Sequence, residues 1–313
     1  MRKSSILGSV VLIALSVAMQ AAPASAQATR TWVSGVGNDA DPCSRTAPCK
    51  TFAGAYGKTA ASGIINCLDG GGFGGVTITK SLTLDCADVP GGILGAGGAN
   101  GVVINGAGIN VVLRGLTIAG AGSGAVGVNL VNAASLHIEN VKINGFGNGL
   151  NVVPGAGVTS KVVVANSSIS DNNGASVNIA PSGGTAKVLF NTVQVDNSTA
   201  GIYATAFGGG TTRMTIVNSS MSANNYYGIA ADGTGGGTVS VMVDTSVVAN
   251  NGTMGVYGNG ASATVLFSKT TFAGNDTGWN ASGGAQLLSY GDNNNTLNIS
   301  ANGPPSGAVL PRQ

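Results

Sequence analysis

The sequence predicts an all-β fold: a single parallel β-solenoid of about nine to ten coils, each ~25 residues long. The main observation is a pair of apolar columns that recur at a regular interval, once per predicted coil, and keep one register. The first column comprises Leu113, Ile138, Val164, Phe190, Ile216, Met242 and Phe267. The second column comprises Ile118, Ile143, Ile169, Val195, Met221, Val247 and Phe272. Seven copies of one unit, each covering the apolar face of the next, explain both columns.

Short alternating segments indicate that each unit is built from strands. In Leu136-His137-Ile138-Glu139 the apolar and polar residues alternate, which is typical of a half-buried strand. Three such segments occur per unit, with turns between them and no helical period. Polar residues recur at the turns, and asparagine suits them because it tolerates left-handed backbone. The first turn column comprises Asn140, Asn166, Asn218 and Asp244, and the second comprises Asn172, Asn224, Asn250 and Asn275.

The N-terminal segment, 1–26, has the features of a secretory signal peptide. Arg2 and Lys3 precede an apolar run at residues 6–19, and Ala24-Ser25-Ala26 resembles a cleavage site. We therefore expect an exported protein, periplasmic or extracellular, with no membrane span in the mature chain. The remaining divisions are an N-terminal cap at 27–63, the solenoid at 64–300 and an irregular tail at 301–313.

The four cysteines, Cys43, Cys49, Cys67 and Cys86, lie in the first third of the chain. Export makes disulfides the default interpretation, because secretory compartments are oxidising. Three connectivities are possible, and we favour the pairing of neighbours, Cys43–Cys49 and Cys67–Cys86. A metal site is the less favoured alternative, since no C-x-x-C spacing occurs.

The repeat resembles the right-handed parallel β-helix family, the pectate-lyase-like fold, and handedness is implied by that resemblance. The segments Trp32-Val33-Ser34 and Pro48-Cys49-Lys50-Thr51-Phe52 are similar to the entry motif of secreted β-helix proteins, in which a strand and a short helix cap the open end. The predicted helix buries one face comprising Phe52, Ala55, Tyr56 and Ala60. The chain is also similar to uncharacterised exported proteobacterial β-helix proteins. Enzymes of this family act on acidic polysaccharides, with calcium in the lyases.

The charge balance argues against nucleic acid as a partner. Without Arg2 and Lys3 the 14 basic residues fall to 12, equal to the 12 acidic ones. A neutral chain with 8% charged residues lacks the basic surface that nucleic acids and anionic membranes select.

One column of cations is the first candidate site. Lys161, Lys187 and Arg213 occupy equivalent positions in three successive units and are expected to face outward on successive coils. Stacked like charges repel, so the column indicates either an anionic polymer as ligand or long solvated side chains that spread apart. A base for a lyase reaction is the catalytic variant of the first interpretation.

A late group of aromatic residues is the second candidate, as a platform for stacking sugars: Tyr203, Tyr227, Tyr257 and Trp279. Ordinary strand packing is the alternative. Asp171 and Asp196 are expected to be out of phase, so we interpret them as turn-stabilising residues and not as a glycosidase pair. Arg114, Glu139 and His137 are expected to form a surface ion-pair group.

These features favour a non-catalytic role, either polysaccharide binding or a structural or adhesive rod at the cell envelope, with no cofactor. The alternative is a lyase, hydrolase or epimerase acting on acidic glycans, in which case calcium is a possible cofactor. No motif of a nucleophilic or phosphate-binding enzyme occurs, and the sequence leaves the ligand and the oligomeric state open.

Overall fold

A computed structural model of the chain describes residues 27–300, 305 and 309–311. The predicted signal peptide and most of the predicted tail lie outside these residues. Three stacks of parallel strands wind into a right-handed-type solenoid of about 8 turns, slightly fewer than the nine to ten coils expected. No helix among the described residues is both long and apolar enough to cross a membrane.

The first stack runs the length of the solenoid. Its strands are β1 (Ala28–Val33), β2 (Thr59–Cys67), β5 (Leu82–Asp85), β8 (Asn110–Arg114), β10 (Ser135–Glu139), β12 (Thr159–Ser170), β14 (Thr185–Asp196), β16 (Thr211–Val217), β19 (Thr238–Asp244), β22 (Ala263–Ser268) and β25 (Gln286–Ser289).

The second stack takes in the later halves of β12 and β14, which bend across a corner. Its other strands are β3 (Gly71–Gly72), β6 (Gly91–Leu94), β9 (Leu116–Asn132), β11 (Lys142–Val152), β17 (Ser220–Ser222), β20 (Val247–Ala249), β23 (Thr271–Ala273) and β26 (Asn294–Thr296).

The third stack takes in the later halves of β9 and β11. Its other strands are β4 (Val76–Ile78), β7 (Val102–Asn105), β13 (Ala175–Ile179), β15 (Ala200–Thr205), β18 (Tyr227–Asp232), β21 (Met254–Asn259) and β24 (Thr277–Ser282).

The chain turns at two corners, one between the first and second stacks and one between the second and third. At each corner a single residue adopts the left-handed backbone conformation. Between the first and second stacks these residues are Asn140, Asn166, Thr192, Asn218, Thr245 and Lys269, with φ between 46° and 58°. The expectation of Asp244 in this column was wrong by one residue, because Asp244 still belongs to strand β19 and pairs with Val217. Asparagine adopts this backbone conformation at lower cost than most residues, which explains its enrichment there.

A ladder of polar side chains, buried except for half-buried Asn298 at its end, follows the second corner. Its members are Asn172, Ser198, Asn224, Asn251, Asn275 and Asn298, and each side-chain oxygen accepts a backbone N–H from the preceding coil. Asn251 occupies the position expected for Asn250, which is an exposed corner residue with φ 56°. The ladder satisfies backbone groups that the turn would otherwise leave unpaired inside the solenoid.

The apolar columns are confirmed except at one coil. Ile216 pairs with Val243 and Met221 with Val248, so Met242 and Val247 face outward instead of inward. This coil is longer than the one before it, because the turn after Asn224 holds one more residue than the turn after Ser198. The next coil is correspondingly short, because its loop at 260–262 is reduced.

The N-terminal end is closed by the predicted cap. Helix α1 (Phe52–Lys58) begins after Thr51, whose side chain accepts a hydrogen bond from the Gly54 N–H at 2.9 Å. Phe52 and Ala55 are buried, and Phe52 packs edge-on against Phe73. The helix ends earlier than expected, so Ala60 lies in β2 and not on the helical face.

The disulfides join neighbouring cysteines as predicted. Cys43 is bonded to Cys49 within the cap, and Cys67 is bonded to Cys86 across the first coil. Both bonds link short segments near the N-terminal end, where stacking is less complete than in the middle of the solenoid.

Candidate functional site

The three candidate cations form a row on the outer face of the first stack. Lys161 pairs in register with Lys187, and Lys187 pairs with Arg213. Parallel strands lie ~4.8 Å apart, so the row places one positive charge per coil along the rod axis. All three side chains are exposed, and no carboxylate of the described residues lies within 4.0 Å of them. We call these three residues the basic row.

A column of mainly apolar residues runs beside the basic row. Its members are Val163, Leu189, Thr215, Met242, Leu266 and Leu288, and each pairs with the next. They lie two residues further along each strand than the basic row, so both sets project from the same outer face. All six are half-buried. We call them the apolar column, and sequence analysis did not identify it.

The basic row and the apolar column line a groove of about 590 Å³. Beyond Arg213 the edge continues with uncharged Ser240 and Thr264, while the apolar column extends to Leu288. Six strands at ~4.8 Å spacing give a groove about 24 Å long. Of the described residues that line it, none is acidic. We call this feature the basic groove; its shape and charge suit an elongated anion.

A second groove of about 720 Å³ lies over the second stack and its preceding corner. Amides and hydroxyls dominate its lining, which includes Asn140, Asn166, Asn218, Ser168, Gln194 and Ser220. Its charged residue is Lys142. The corner conformation accounts for the asparagines, so the lining alone does not point to a ligand.

The tyrosines gather on the outer face of the third stack. Tyr203 and Tyr257 lie in one column with Ala230 between them, and the Tyr227 ring stacks on Tyr257 at 5.4 Å between centroids. The Tyr203 hydroxyl donates to Asp232 Oδ2 at 2.8 Å. The Tyr257 hydroxyl hydrogen-bonds with Ser282 Oγ at 2.7 Å. The result is a half-buried aromatic cluster with polar groups at its edge.

The hydrogen bond between Tyr203 and Asp232 separates the pKa values of the two groups. Burial, followed by the hydrogen bond to Asp232, raises the pKa of Tyr203 to about 12. Burial opposes ionisation of Asp232, but hydrogen bonds from Thr234 and Tyr203 outweigh it and lower the Asp232 pKa. At neutral pH the pair is therefore a neutral phenol that donates to a carboxylate.

Trp279 is separate from this cluster. It pairs with Val256 in an inward-facing column, and its ring packs on Phe267 and Phe272 at centroid distances of 5.1 and 5.0 Å. These contacts place Trp279 at the C-terminal end of the core, where it covers apolar side chains of the last coils.

Asp171 and Asp196 do not face each other as a pair. Asp196 pairs with Ser170, whereas Asp171 is a corner residue whose side chain accepts hydrogen bonds from Ser170 and Asn197. Burial, and then the charge of Asp171, raise the pKa of Asp196. The turn-stabilising interpretation of Asp171 agrees with these contacts.

The group around Arg114 is a chain of ion pairs on the first stack. Asp85, Arg114 and Glu139 occupy one column, and Arg114 contacts the two carboxylates at 3.5 and 3.0 Å. His137 Nε2 lies 3.8 Å from Glu139 Oε2. All four side chains are partly exposed, so these contacts neutralise a surface and do not enclose a reaction centre.

The Asp39 carboxylate has structural partners beside the cap helix. Asp39 Oδ1 accepts the backbone N–H groups of Lys50 and Thr51 just before helix α1. Burial opposes ionisation of Asp39, but the hydrogen bonds from Thr51 outweigh it and lower its pKa. Within the described part of the chain, no three His, Cys, Asp or Glu side chains come together as metal ligands do.

Comparison with known proteins identifies the fold. No protein-family model and no curated protein matches the chain. A crystal structure of pectate lyase Pel9A superposes with a TM-score of 0.60 at 14% identity, covering 88% of this chain and 78% of that one. A rhamnogalacturonan lyase gives a TM-score of 0.50 at 12% identity, covering 79% and 75%. The fold is the pectate-lyase-like parallel β-helix.

The pectate-lyase-like β-helix does not by itself fix a function, because function depends on the residues of a particular site. Identities of 14% and 12% relate the backbones and assign no residue of this chain a role. The basic groove and the tyrosine cluster therefore have to be judged on their own chemistry.

Proposed function

We propose that this chain is an exported, non-catalytic binding protein for acidic polysaccharides and that the basic groove is its binding face. The observation that carries the proposal is the alignment of Lys161, Lys187 and Arg213 on successive coils, without carboxylate partners among the described residues. A linear polymer with repeated carboxylates can neutralise a row of this kind, whereas a compact anion reaches only part of it.

The rest of the molecule supports a local and selective site. Positive and negative residues balance once the predicted signal peptide is removed, so anions are attracted by local groups of cations such as the basic row and not by the net charge of the chain. The two disulfides fit an oxidising compartment, and with the predicted signal peptide they favour export to the periplasm or beyond.

We also propose the tyrosine cluster as a second sugar contact. Tyr203, Tyr227 and Tyr257 present aromatic surface beside the carboxylate of Asp232 and the hydroxyl of Ser282. Apolar sugar faces pack on aromatic rings while neighbouring polar groups bond their hydroxyls. Because Trp279 packs into the end of the core, it is not included in this contact.

The alternative is an enzyme that acts on the same class of polymer. The two structurally similar proteins are named as lyases, and a lysine of the basic row is a candidate base for proton abstraction. A calcium ion, if required, would have to be held largely by ligands from the substrate, because no cluster of three ligating side chains occurs among the described residues.

The experiment that separates these functions measures binding and product together. Mature protein is incubated with polygalacturonate, polymannuronate and a neutral glucan, with and without calcium. Binding is followed by calorimetry, and product by ultraviolet absorbance of unsaturated uronide ends and by reducing ends. The proposal predicts saturable binding to a polyuronate without product, lost in Lys161→Gln/Lys187→Gln/Arg213→Gln.

The matched control is Lys142→Gln, which removes one exposed lysine from a different outer face. It should bind like the wild type. New unsaturated or reducing ends that disappear in the triple variant would establish the enzymatic alternative. Absence of binding to every polymer would leave the structural or adhesive rod as the remaining function.

A further inference from the structure

The apolar column is not explained by the fold. The outward residues of a sheet that faces solvent are normally polar. The second stack follows this rule with one exception: its outward column holds Lys142, Ser168, Gln194, Ser220, Thr271 and Asn294, and Val247 is the apolar member. On the first stack the equivalent coils instead present Val163, Leu189, Met242, Leu266 and Leu288. Thr215 is the polar member of this column, and an otherwise apolar stripe within a groove indicates a ligand surface.

The cations of the basic row and the side chains of the apolar column are separated by a constant distance along each strand. Lys161 and Val163 are two residues apart on one strand, as are Lys187 and Leu189 on the next. Two residues of a strand span roughly 6.6 Å, so a ligand in the groove meets cations along one edge and hydrocarbon along the floor. After Arg213 the edge becomes uncharged while the hydrocarbon floor continues.

We propose that the groove selects an acidic polysaccharide that carries O-acyl groups. Its carboxylates would lie on the basic row and its acyl groups on the apolar column. This inference rests on the proposed function and specifies its ligand. A plain polyuronate presents hydroxyl groups to the floor, where Leu189 and Met242 cannot replace their hydrogen bonds to water.

Charge complementarity argues against a second copy of this chain as the occupant. If a two-fold axis parallel to the strands related two copies face to face, the basic row of one copy would lie against the basic row of the other. Pairing about the rod axis would set it against the far ends of the same strands, where Ala165, Asn191 and Val217 carry no charge. The nearest carboxylates of that column, Glu139 and Asp244, lie one coil beyond its two ends, so neither arrangement places an anion opposite each cation of the row.

The test compares one polymer in two forms: O-acetylated polygalacturonate and the same batch after mild alkaline removal of the acetyl groups. Burial of one methyl-sized group favours binding about fourfold. With several acetyl groups along the groove, we expect the acetylated form to bind wild-type protein at least about tenfold more tightly. Leu189→Ser/Met242→Ser should abolish this preference, so that the acetylated and deacetylated forms bind the variant with equal affinity.

Val247→Ser is the matched control, because it removes an apolar side chain that is 44% exposed on the second stack. It should retain the preference for acetylated polymer. Lys187→Gln should weaken binding of both forms by the same factor, since the carboxylates are common to both.

Equal affinity of wild-type protein for the two forms, with binding still lost in the triple glutamine variant, would overturn the acyl inference and leave the proposed function standing. Failure of both polymers to bind would overturn both. A dimer in sedimentation that Leu189→Ser dissociates would assign the floor to a second copy, and binding to phosphatidylglycerol vesicles but to neither polymer would assign it to lipid. Either result would overturn the inference.

Discussion

Replacing Lys187 with glutamine removes the middle charge of the basic row and tests whether the row is held against its own repulsion. Lys187 has a cation on the coil before it and another on the coil after it. Two unit charges ~4.8 Å apart repel by about 0.9 kcal/mol at the dielectric constant of water. The upper limit of repulsion relieved is therefore about 1.7 kcal/mol.

Two effects reduce this limit. The side chains are long and exposed, so their charged ends spread further apart than the strands. Salt also screens exposed charges, with a Debye length of about 10 Å at 0.1 M. We expect Lys187→Gln to raise the free energy of unfolding by about 0.5–1 kcal/mol at low ionic strength, or Tm by roughly 1–4 °C. Affinity for a polyuronate should fall roughly two- to fivefold.

The assay is thermal unfolding at low salt and at about 1 M salt, where the Debye length is about 3 Å. The gain in Tm should vanish at high salt. Lys142→Gln should give no gain at either salt concentration, because its column neighbours, Thr117 and Ser168, are uncharged. A lower Tm for Lys187→Gln, or a rise that persists unchanged at high salt, would refute the idea of a self-repelling row.

Three further predictions concern the fold and the tyrosine cluster. Asn251→Ala should lower the free energy of unfolding by about 3–5 kcal/mol, because it leaves buried hydrogen-bonding groups unpaired. Asn250→Gly, at the exposed corner position, should change it by less than about 1 kcal/mol. A larger loss of stability for Asn250→Gly than for Asn251→Ala in denaturant unfolding would contradict the register. Replacing both cysteines of the Cys67–Cys86 bond with serine should cost about 3 kcal/mol and those of Cys43–Cys49 about 2 kcal/mol, in order of loop length, as checked by the same unfolding assay. The pKa of Tyr203 is about 12 in the folded state, above its unfolded value of 10.0, so its contribution to stability is present below pH 10 and is lost as the pH rises to about 12. Tyr203→Phe should reduce this loss of stability when unfolding is measured as a function of pH. An unchanged pH dependence would contradict the raised pKa of Tyr203.

The register of the solenoid was largely readable from sequence because each strand pairs with its equivalent one coil away. The exception involves two changes of length that compensate each other. The longer turn after Asn224 and the shorter loop at 260–262 make one coil long and the next one short. The two coils together run from Ile216 to Phe267, the same interval as the two coils inferred from the sequence. Their combined length therefore does not reveal that one coil is long and the other short. Met242 fitted the apolar column as well as Val243 did, and hydrophobicity alone could not separate them.

The basic row could be predicted because three cations share one column, but the apolar column could not be separated from the core. In Val162-Val163-Val164 and Val188-Leu189-Phe190 three consecutive residues are apolar, and only the outer two face inward. This pattern was the available signal, since the middle residue of such a run must point to the opposite side of the sheet.

The four aromatic residues likewise could not be separated into surface and core residues by type alone. All four aromatic residues lie in the third strand of their units, but they do not all occupy the same side of that strand. Tyr203 and Tyr257 each follow an inward residue, Ile202 and Val256, and so face outward. Trp279 itself occupies the inward position, opposite Val256. One step along a strand thus separates a surface tyrosine from a core tryptophan.

The most direct test of the account is lysine footprinting by mass spectrometry. Acetylation rates of individual lysines are measured with and without O-acetylated polygalacturonate, so that each molecule provides its own controls. Binding in the basic groove predicts slower modification of Lys161 and Lys187, with unchanged rates at Lys142 and Lys269, which lie off the basic groove. Equal protection of all four lysines, or protection of Lys142 alone, would contradict the assignment of the basic groove as the binding face.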